Sequence, residues 1–368
     1  MIEIIDKSTC CGCGACAQAC PNVCITMQED KHGFLYPYVN YDKCVDCKIC
    51  EQVCQYKKEK NVIVPVISYA AVNIDEQIRM KSSSGGIFNI LAENVIKQEG
   101  VVFGARFDEY WRVVHDYAET IEELEVFRGS KYLQSIIGDN FKIAERFLCD
   151  GRLVLFSGTP CQISGLKHYL RKNYENLITV EVACHGVPSP LVWSEYIRGK
   201  NINIINFRDK SSGWKDYSIR IGNILRSHNC DDYMNCFLGD YSLRPSCFNC
   251  NSKYGSSGAN IMIADLWGIS SIAPEIDDNK GTSAVICWDE RGKNVITNLM
   301  MIKLNIDFNK IFCNNPAIEK SANKPYLYED FWFLFLSNPQ KAIKKFGSLN
   351  RPSKWLLIKS RLYNFIHK

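Results

Sequence analysis

Eight cysteines in the first 54 residues fall into two runs of a single pattern. Cys10, Cys13, Cys16 and Cys20, then Cys44, Cys47, Cys50 and Cys54, are each spaced C-x2-C-x2-C-x3-C. Three thiolates on one tight loop can wrap three corners of a cubane, while the fourth reaches across to a neighbouring cluster. The spacing therefore predicts two 4Fe-4S clusters, one on Cys10, Cys13, Cys16 and Cys54 and the other on Cys44, Cys47, Cys50 and Cys20. Zinc sites use C-x2-C pairs set well apart, and a disulfide framework suits this spacing less well still. Pro21 follows the first run, whereas Gln55 stands where the second would carry its proline. That departure changes the local turn and not the ligand set. Cys11 and Cys24 are left over, and each reads either as a small buried hydrophobe or as an alternative ligand.

A second set of thiols is scattered. Cys161 lies in Ser157-Gly158-Thr159-Pro160-Cys161-Gln162, directly after the apolar stretch RLVLF at 152–156. Thr159 suits an N-cap and Pro160 the first position of a helix running to about residue 172, which puts Cys161 in the first turn, where the helix dipole favours a thiolate. Cys184 ends the apolar stretch LITVEVAC, so it and Cys161 occupy equivalent strand-to-loop positions at one edge of a sheet, where open α/β sheets bind ligands. Cys247 and Cys250 form a C-x2-C pair that reads equally as half of a zinc site or half of a cluster site. His185, beside Cys184, is the nearest base for a nucleophilic cysteine. Cys149, Cys230, Cys236, Cys287 and Cys313 are read as structural.

Two polar segments could hold an anion. Ser82-Ser83-Ser84-Gly85-Gly86 opens an apolar helical pattern at Ile87; free N–H groups at a helix start would cradle a phosphate, or the segment is a plain cap and turn. Gly129-Ser130-Lys131 continues to Gln134 and Ser135 and carries one lysine, catalytic or simply solvated. Arg208 and Lys210 are further candidates for anionic groups.

These residues need a scaffold. A chain of 368 residues divides naturally into a small electron-transfer module and a larger domain of about 250 residues. The expected boundaries are a module at 1–56, a linker at 57–65, a large domain at 66–325 and a basic helical tail at 326–368. Residues 2–5 read as a strand leading into the module. Strands are expected at 66–73, 101–107, 111–117, 152–156, 177–184 and 259–269, with helices between several of them. The expected fold class is an α+β ferredoxin-like dicluster module followed by a larger α/β domain with a mixed sheet. The opening MIEIIDKSTC has no apolar signal-type core, so the thiols are expected reduced in the cytoplasm. No apolar run approaches the ~18 residues of a membrane span. Residues 341–368 carry eight Lys or Arg and no acid, which leaves 36 basic against 40 acidic residues elsewhere. With no basic body, nucleic acid is not an expected partner. Within the tail, Trp355, Ile358, Leu362 and Ile366 share one helical face, suited to packing on the domain, to a partner or to an anionic membrane surface.

Seven motifs in order, KSSSGGIF, RGSKYLQS, FSGTPCQISGLK, ACHGVPSP, FRDKSSGW, LRPSCFNC and ADLWG, resemble the coenzyme F-420 hydrogenase/dehydrogenase beta-subunit family over about residues 66–270. The resemblance implies a flavin-binding domain holding FAD, with a third 4Fe-4S cluster on Cys161, Cys184, Cys247 and Cys250. It also implies flavin contacts at Ser82, Ser83, Ser84, Gly85, Gly86, Gly129, Ser130, Lys131, Gln134, Ser135, Gly158, Thr159 and Pro160, with Lys131 and His185 as candidate catalytic groups. The expected function is a ferredoxin-linked iron–sulfur flavoprotein oxidoreductase. It would act on a small organic substrate, either the deazaflavin coenzyme or an intermediate of polysaccharide biosynthesis. The competing reading is a non-catalytic electron-transfer subunit.

Overall fold

The computed structural model describes residues 1–57, 62–349 and 351. Near the N-terminus, β1 (Ile25–Glu29) and β2 (Leu35–Val39) form an antiparallel hairpin with Ile25 opposite Val39. Residues 2–5 are not a strand, contrary to the expectation for this isoleucine-rich stretch. Their backbone has no neighbouring strand to pair with, and the Ile2 N–H donates instead to Cys50 Sγ at 3.3 Å.

The large domain is a mixed α/β structure around an eight-stranded sheet. Its strands are β3 (Ile67–Val72), β4 (Val101–Phe107), β5 (Val113–Ala118), β6 (Val154–Gly158), β7 (Leu177–Val182), β11 (Ile261–Asp265), β12 (Ser283–Cys287) and β13 (Ile302–Asn305), in the order β13-β3-β12-β11-β7-β6-β4-β5. β4, β6, β7 and β11 run parallel, and antiparallel strands flank them on both sides. Strands covered by helices on both faces read as near-continuous apolar runs. Val154, Leu155, Phe156 and Val180 are accordingly all fully buried. Helix Ile87–Ile96 packs one face through Leu91 and Val95. Helices Asn140–Cys149 and Pro160–Leu170 pack the other through Phe141, Ile163 and Leu166. A separate antiparallel meander, β8 (Ile205–Asp209), β9 (Ser218–Ile221) and β10 (Ile224–Ser227), carries a register irregularity between Asn206 and Asp209. Helices Tyr328–Ser337 and Pro339–Leu349 pack on each other, and the second also packs on helix Asp232–Leu238.

The cysteine-rich segment is built into this structure. Ala15, Cys16 and Val53 belong to the same apolar core as Phe141, Ile163 and Leu166. Asp139 makes no side-chain cap for helix Asn140–Cys149. Gln18 supplies it, its Oε1 accepting from the N–H groups of Phe141 at 3.0 Å and Lys142 at 3.2 Å. Gly165 leaves room for the segment: a Cβ there would stand 2.8 Å from Cys13 Cβ and 2.9 Å from its sulfur. Most of the expected tail helix, including Trp355, Ile358, Leu362 and Ile366, lies outside the described residues. No helix among the described residues is long and apolar enough to cross a membrane.

Candidate functional site

The N-terminal thiols gather in two groups. Cys16 is raised well above the usual thiol range by burial, with Cys13, Cys10 and Cys54 adding to it. Cys54 is pushed up to about 11, again chiefly by burial, with Cys13 and Cys10 beside it. These mutual effects set Cys54 beside Cys10, Cys13 and Cys16. Cys20, Cys24, Cys44, Cys47 and Cys50 line a separate recess of about 350 Å³, in which Cys47 is exposed and Cys50 buried. Cys24 Sγ lies 3.2 Å from Cys20 Sγ.

A third group forms where the large domain meets the cysteine-rich segment. β6 and β7 are parallel neighbours, and Cys161 and Cys184 follow their carboxyl ends. Thr159 and Pro160 open the helix as expected, with Gln162 Oε1 accepting from the Thr159 N–H at 2.9 Å. Cys161, Cys184, Cys247 and Cys250 line one cavity of about 420 Å³, together with Cys11, Tyr56, His185, Arg244 and Lys253. Among the described residues, no three Cys, His or carboxylate groups close on the position of one ion. The thiols stand instead around the void, and their donor chemistry fits a thiolate-bound cluster. The Cys161 thiol is lowered to about 6, first by a hydrogen bond from Cys11, then by the Thr159 hydroxyl and the charges of Arg244 and Lys253. Cys184 is pushed up to about 12 by burial.

Three side chains that the sequence reading did not single out for this site hold the cavity together. Gln55, the residue in place of the second proline, donates from Nε2 to the Cys161 carbonyl at 2.8 Å and to Cys11 Sγ at 3.0 Å, and its Oε1 accepts from Ser252 Oγ at 2.6 Å. Arg244 is fully buried and reaches the Cys10 carbonyl at 2.8 Å. Lys253 donates to the carbonyls of Cys184 and Ala317. His185 is engaged elsewhere: Nε2 pairs with Asp240 Oδ1 at 2.5 Å and the ring meets Phe237 edge-on.

The residues expected to contact a flavin divide between two neighbourhoods. In the first, Ser83 Oγ accepts from the Ser130 N–H at 2.6 Å and lies 2.9 Å from the Ser130 hydroxyl, which joins the Ser82–Gly86 and Gly129–Lys131 segments. Gly86, in the left-handed region at φ 80°, precedes helix Ile87–Ile96 with no side-chain cap on it. Lys131 donates to the carbonyls of Phe127, Arg128 and Gly129, and burial lowers it to about 7. Lys210 donates to the carbonyls of Arg79, Ser84 and Lys280, and burial, then Arg79, lowers it to about 7 as well. Arg208 is buried over the Tyr217 ring at 3.8 Å. Its Nη2 lies 3.1 Å from Asp265 Oδ2 outside hydrogen-bond geometry, so that Nη2 and Nε are both without a hydrogen-bond partner. The buried Trp214 Nε1 also lacks one, in a ring stacked on Trp267 at 5.0 Å. Unpartnered buried donors beside cations fit an anionic, hydrogen-bonding group such as FAD. In the second neighbourhood, Gln134 donates to the Cys11 carbonyl at 2.9 Å, and Ser135 accepts from Gln162 Nε2 at 2.7 Å. Thr159 Oγ1 lies 3.2 Å from Cys161 Sγ, and Pro160 lines the cysteine cavity.

Comparison with known proteins bears on both parts of the chain. Residues 9–58 match the 4Fe-4S dicluster domain, and residues 151–308 match the C terminus of the coenzyme F420 hydrogenase/dehydrogenase beta subunit. The coenzyme F420-dependent sulfite reductase of Methanocaldococcus jannaschii is 27% identical over 202 residues, covering 54% of this chain and 31% of that protein. An uncharacterized ferredoxin of the same organism is 35% identical over 51 residues, covering 14% of this chain and 65% of that one. Each match thus spans less than two thirds of the relative's own length. A chain of the F420-reducing NiFe hydrogenase complex from Methanosarcina barkeri aligns over 79% of this chain and 94% of its own, with a TM-score of 0.47 and 16% identity. Residues 151–308 thus carry the C-terminal domain of the coenzyme F420 hydrogenase/dehydrogenase beta-subunit family, a 4Fe-4S dicluster domain lies ahead of it, and the chain is an iron–sulfur protein of electron transfer.

Proposed function

We propose that the chain is an iron–sulfur flavoprotein oxidoreductase in which electrons pass between a ferredoxin-type donor, two clusters of a ferredoxin-like module, a third cluster and FAD. The observation that carries this reading is the position of the third cavity. Its thiols follow β6 and β7 on one side and meet Cys11 and Tyr56 of the cysteine-rich segment on the other. The exposure of Cys47 supports contact between a protein donor and a cluster held there. Cys10, Cys13, Cys16 and Cys54 then lie next to the Cys161 cavity, since Cys11 touches both Cys13 and Cys161.

FAD would be held by the segments joined at Ser83 and Ser130, with Arg208 and Lys210 toward its anionic part, and would convert two-electron chemistry on a substrate into single electrons. The chain's own work there is to orient and to shield. Gly86 leaves the helix N–H groups open to an anion, Arg208 and Trp214 offer buried donors, and the stacked Trp214 and Trp267 exclude water. Lys131, its affinity for a proton lowered by burial, is poised to exchange one near pH 7. The substrate class that suits this site is a small organic acceptor of a hydride, either the deazaflavin coenzyme or a polysaccharide-biosynthesis intermediate.

Anaerobic purification with iron, sulfide and flavin analysis tests the reading. Three cubanes require about twelve irons per chain, together with one FAD; a colourless, zinc-containing protein would sink it. A second reading, an electron-transfer subunit without its own substrate, is favoured by the sulfite reductase match, in which the aligned segment is 31% of a larger redox protein. Dithionite-reduced isolated chain should turn over a small acceptor, deazaflavin included, under the first reading and none of a broad panel under the second.

A further inference from the structure

We propose that Arg244 is a counter-cation shared by two clusters, the one on Cys10, Cys13, Cys16 and Cys54 and the one on Cys161, Cys184, Cys247 and Cys250, and that it raises the reduction potential of both. The proposal rests on the assignment of three clusters made above and adds a positioning residue to it.

The argument begins with what surrounds the guanidinium. Arg244 is 0% exposed. Its Nε donates to the Cys10 carbonyl at 2.8 Å, Nη1 to Gln134 Oε1 at 3.0 Å and Nη2 to the Leu35 carbonyl at 2.8 Å. The same Nη2 lies 3.8 Å from Cys10 Sγ, and the plane sits over the Tyr36 ring at 4.2 Å. None of these partners is a carboxylate. A buried cation whose hydrogen bonds all end on neutral oxygens is costly unless an anion stands close by. The sulfurs of both ligand sets are within reach: Nη2 faces Cys10 Sγ at 3.8 Å, and the side chain lines the cavity of Cys161, Cys184, Cys247 and Cys250.

The backbone is arranged around this position. Arg244 precedes the short helix Pro245–Asn249, and its carbonyl accepts from the Cys247 N–H at 2.9 Å, so its place is tied to the C-x2-C ligand loop. On the opposite side is Gly12, in the left-handed region at φ +70°. A Cβ on Gly12 would stand 2.9 Å from Arg244 Nη1. The glycine between Cys11 and Cys13 thus leaves the space that the guanidinium occupies. Arg244 also lines the Cys161 cavity, whereas the recess of Cys20, Cys44, Cys47 and Cys50 is lined without it.

Each cubane takes up one electron, with no bond made or broken, so reduction adds one negative charge to a group that is already anionic. A fixed cation in a low-dielectric site favours the reduced state and raises the potential. One guanidinium between two clusters raises both, which keeps the donor and acceptor of that transfer matched. The cluster on Cys20, Cys44, Cys47 and Cys50 lies apart and should be indifferent to it.

The test is an EPR-monitored redox titration of the full chain, parent against Arg244→Gln and Arg244→Lys, with iron counted in each. In a chain holding about twelve irons, Arg244→Gln should lower two of the three potentials and leave the third unmoved, and Arg244→Lys should restore most of the loss because it keeps the charge. Three unmoved potentials, a uniform shift of all three, or a lysine variant no better than glutamine would each overturn the proposal. Should glutamine cost the chain its iron, lysine decides: full iron with parental potentials supports a role for charge, and equal iron loss shows a merely structural tie. A parent chain that never holds a third cluster takes down the three-cluster reading and this proposal together.

Discussion

Gln55 Nε2 and the Cys161 carbonyl oxygen, 106 residues apart in sequence, are hydrogen-bonded at 2.8 Å. The residue that breaks the proline pattern after the second cysteine run is therefore the clasp between that run and the helix bearing a thiol of the third cavity. Replacing it by leucine keeps the shape and removes three hydrogen bonds, stranding the buried Ser252 hydroxyl. We expect Gln55→Leu to lose about 1–3 kcal/mol of stability, measured by anaerobic denaturant unfolding. An unchanged midpoint at unchanged slope would remove Gln55 from this role.

Five thiols line the third cavity, one more than a cubane needs. Cys247→Ala is expected to lose about one third of the iron while the signals of the N-terminal clusters persist. Cys11→Ala is expected to keep all of it, since Cys11 Sγ already accepts a hydrogen bond from Gln55 at 3.0 Å. Iron analysis with EPR separates the two, and loss of a cluster from the Cys11 variant would make that residue a ligand.

Cys13 fits against helix Pro160–Leu170 only because residue 165 lacks a side chain. The added methyl of Gly165→Ala has nowhere to go, and overpacking of this kind costs about 1–3 kcal/mol. The change should appear as a lowered thermal midpoint and as iron lost first from the cluster on Cys13. A variant with parental stability and iron would mean that the two surfaces separate easily.

Glu181, fully buried in β7, accepts from Trp288 Nε1 at 2.7 Å and from the Ser257 hydroxyl, yet burial raises it from 4.5 to about 7. Between those values the folded chain holds a proton that the unfolded chain releases, so stability falls as pH rises from 4.5 to 7 and stays lower above. The shift corresponds to about 3 kcal/mol. Glu181→Gln should therefore gain on the parent toward alkaline pH, a trend that denaturant unfolding from about pH 5 to about pH 8 would reveal. Parallel curves for the two proteins would contradict it.

Local signals marked much of this arrangement in the sequence. The apolar runs of β6 and β7, the Thr159-Pro160 helix start and the cysteine positions at the strand ends are short-range features, so the meeting of Cys161 and Cys184 at one sheet edge was legible. Arg244 was not, although its motif was noticed. Nothing in a single arginine shows that residues 10, 35 and 134 will surround it, because its role depends on three distant segments converging. Gln55 looked like a lapse in a pattern for the same reason, its partners being at 161 and 252. The isoleucine-rich residues 2–5 misled in the opposite direction, since β propensity forms no strand without a pairing edge.

Cys11 and Tyr56 form the module's share of the third cavity's wall. That cavity is complete only when the first 57 residues have docked, so on the proposed three-cluster reading maturation of the third centre and closure of the two parts would be a single coupled event. Affinity for metal becomes cohesion between them. A chain starved of iron would not simply lack a cofactor; it would be looser at the seam between its two parts.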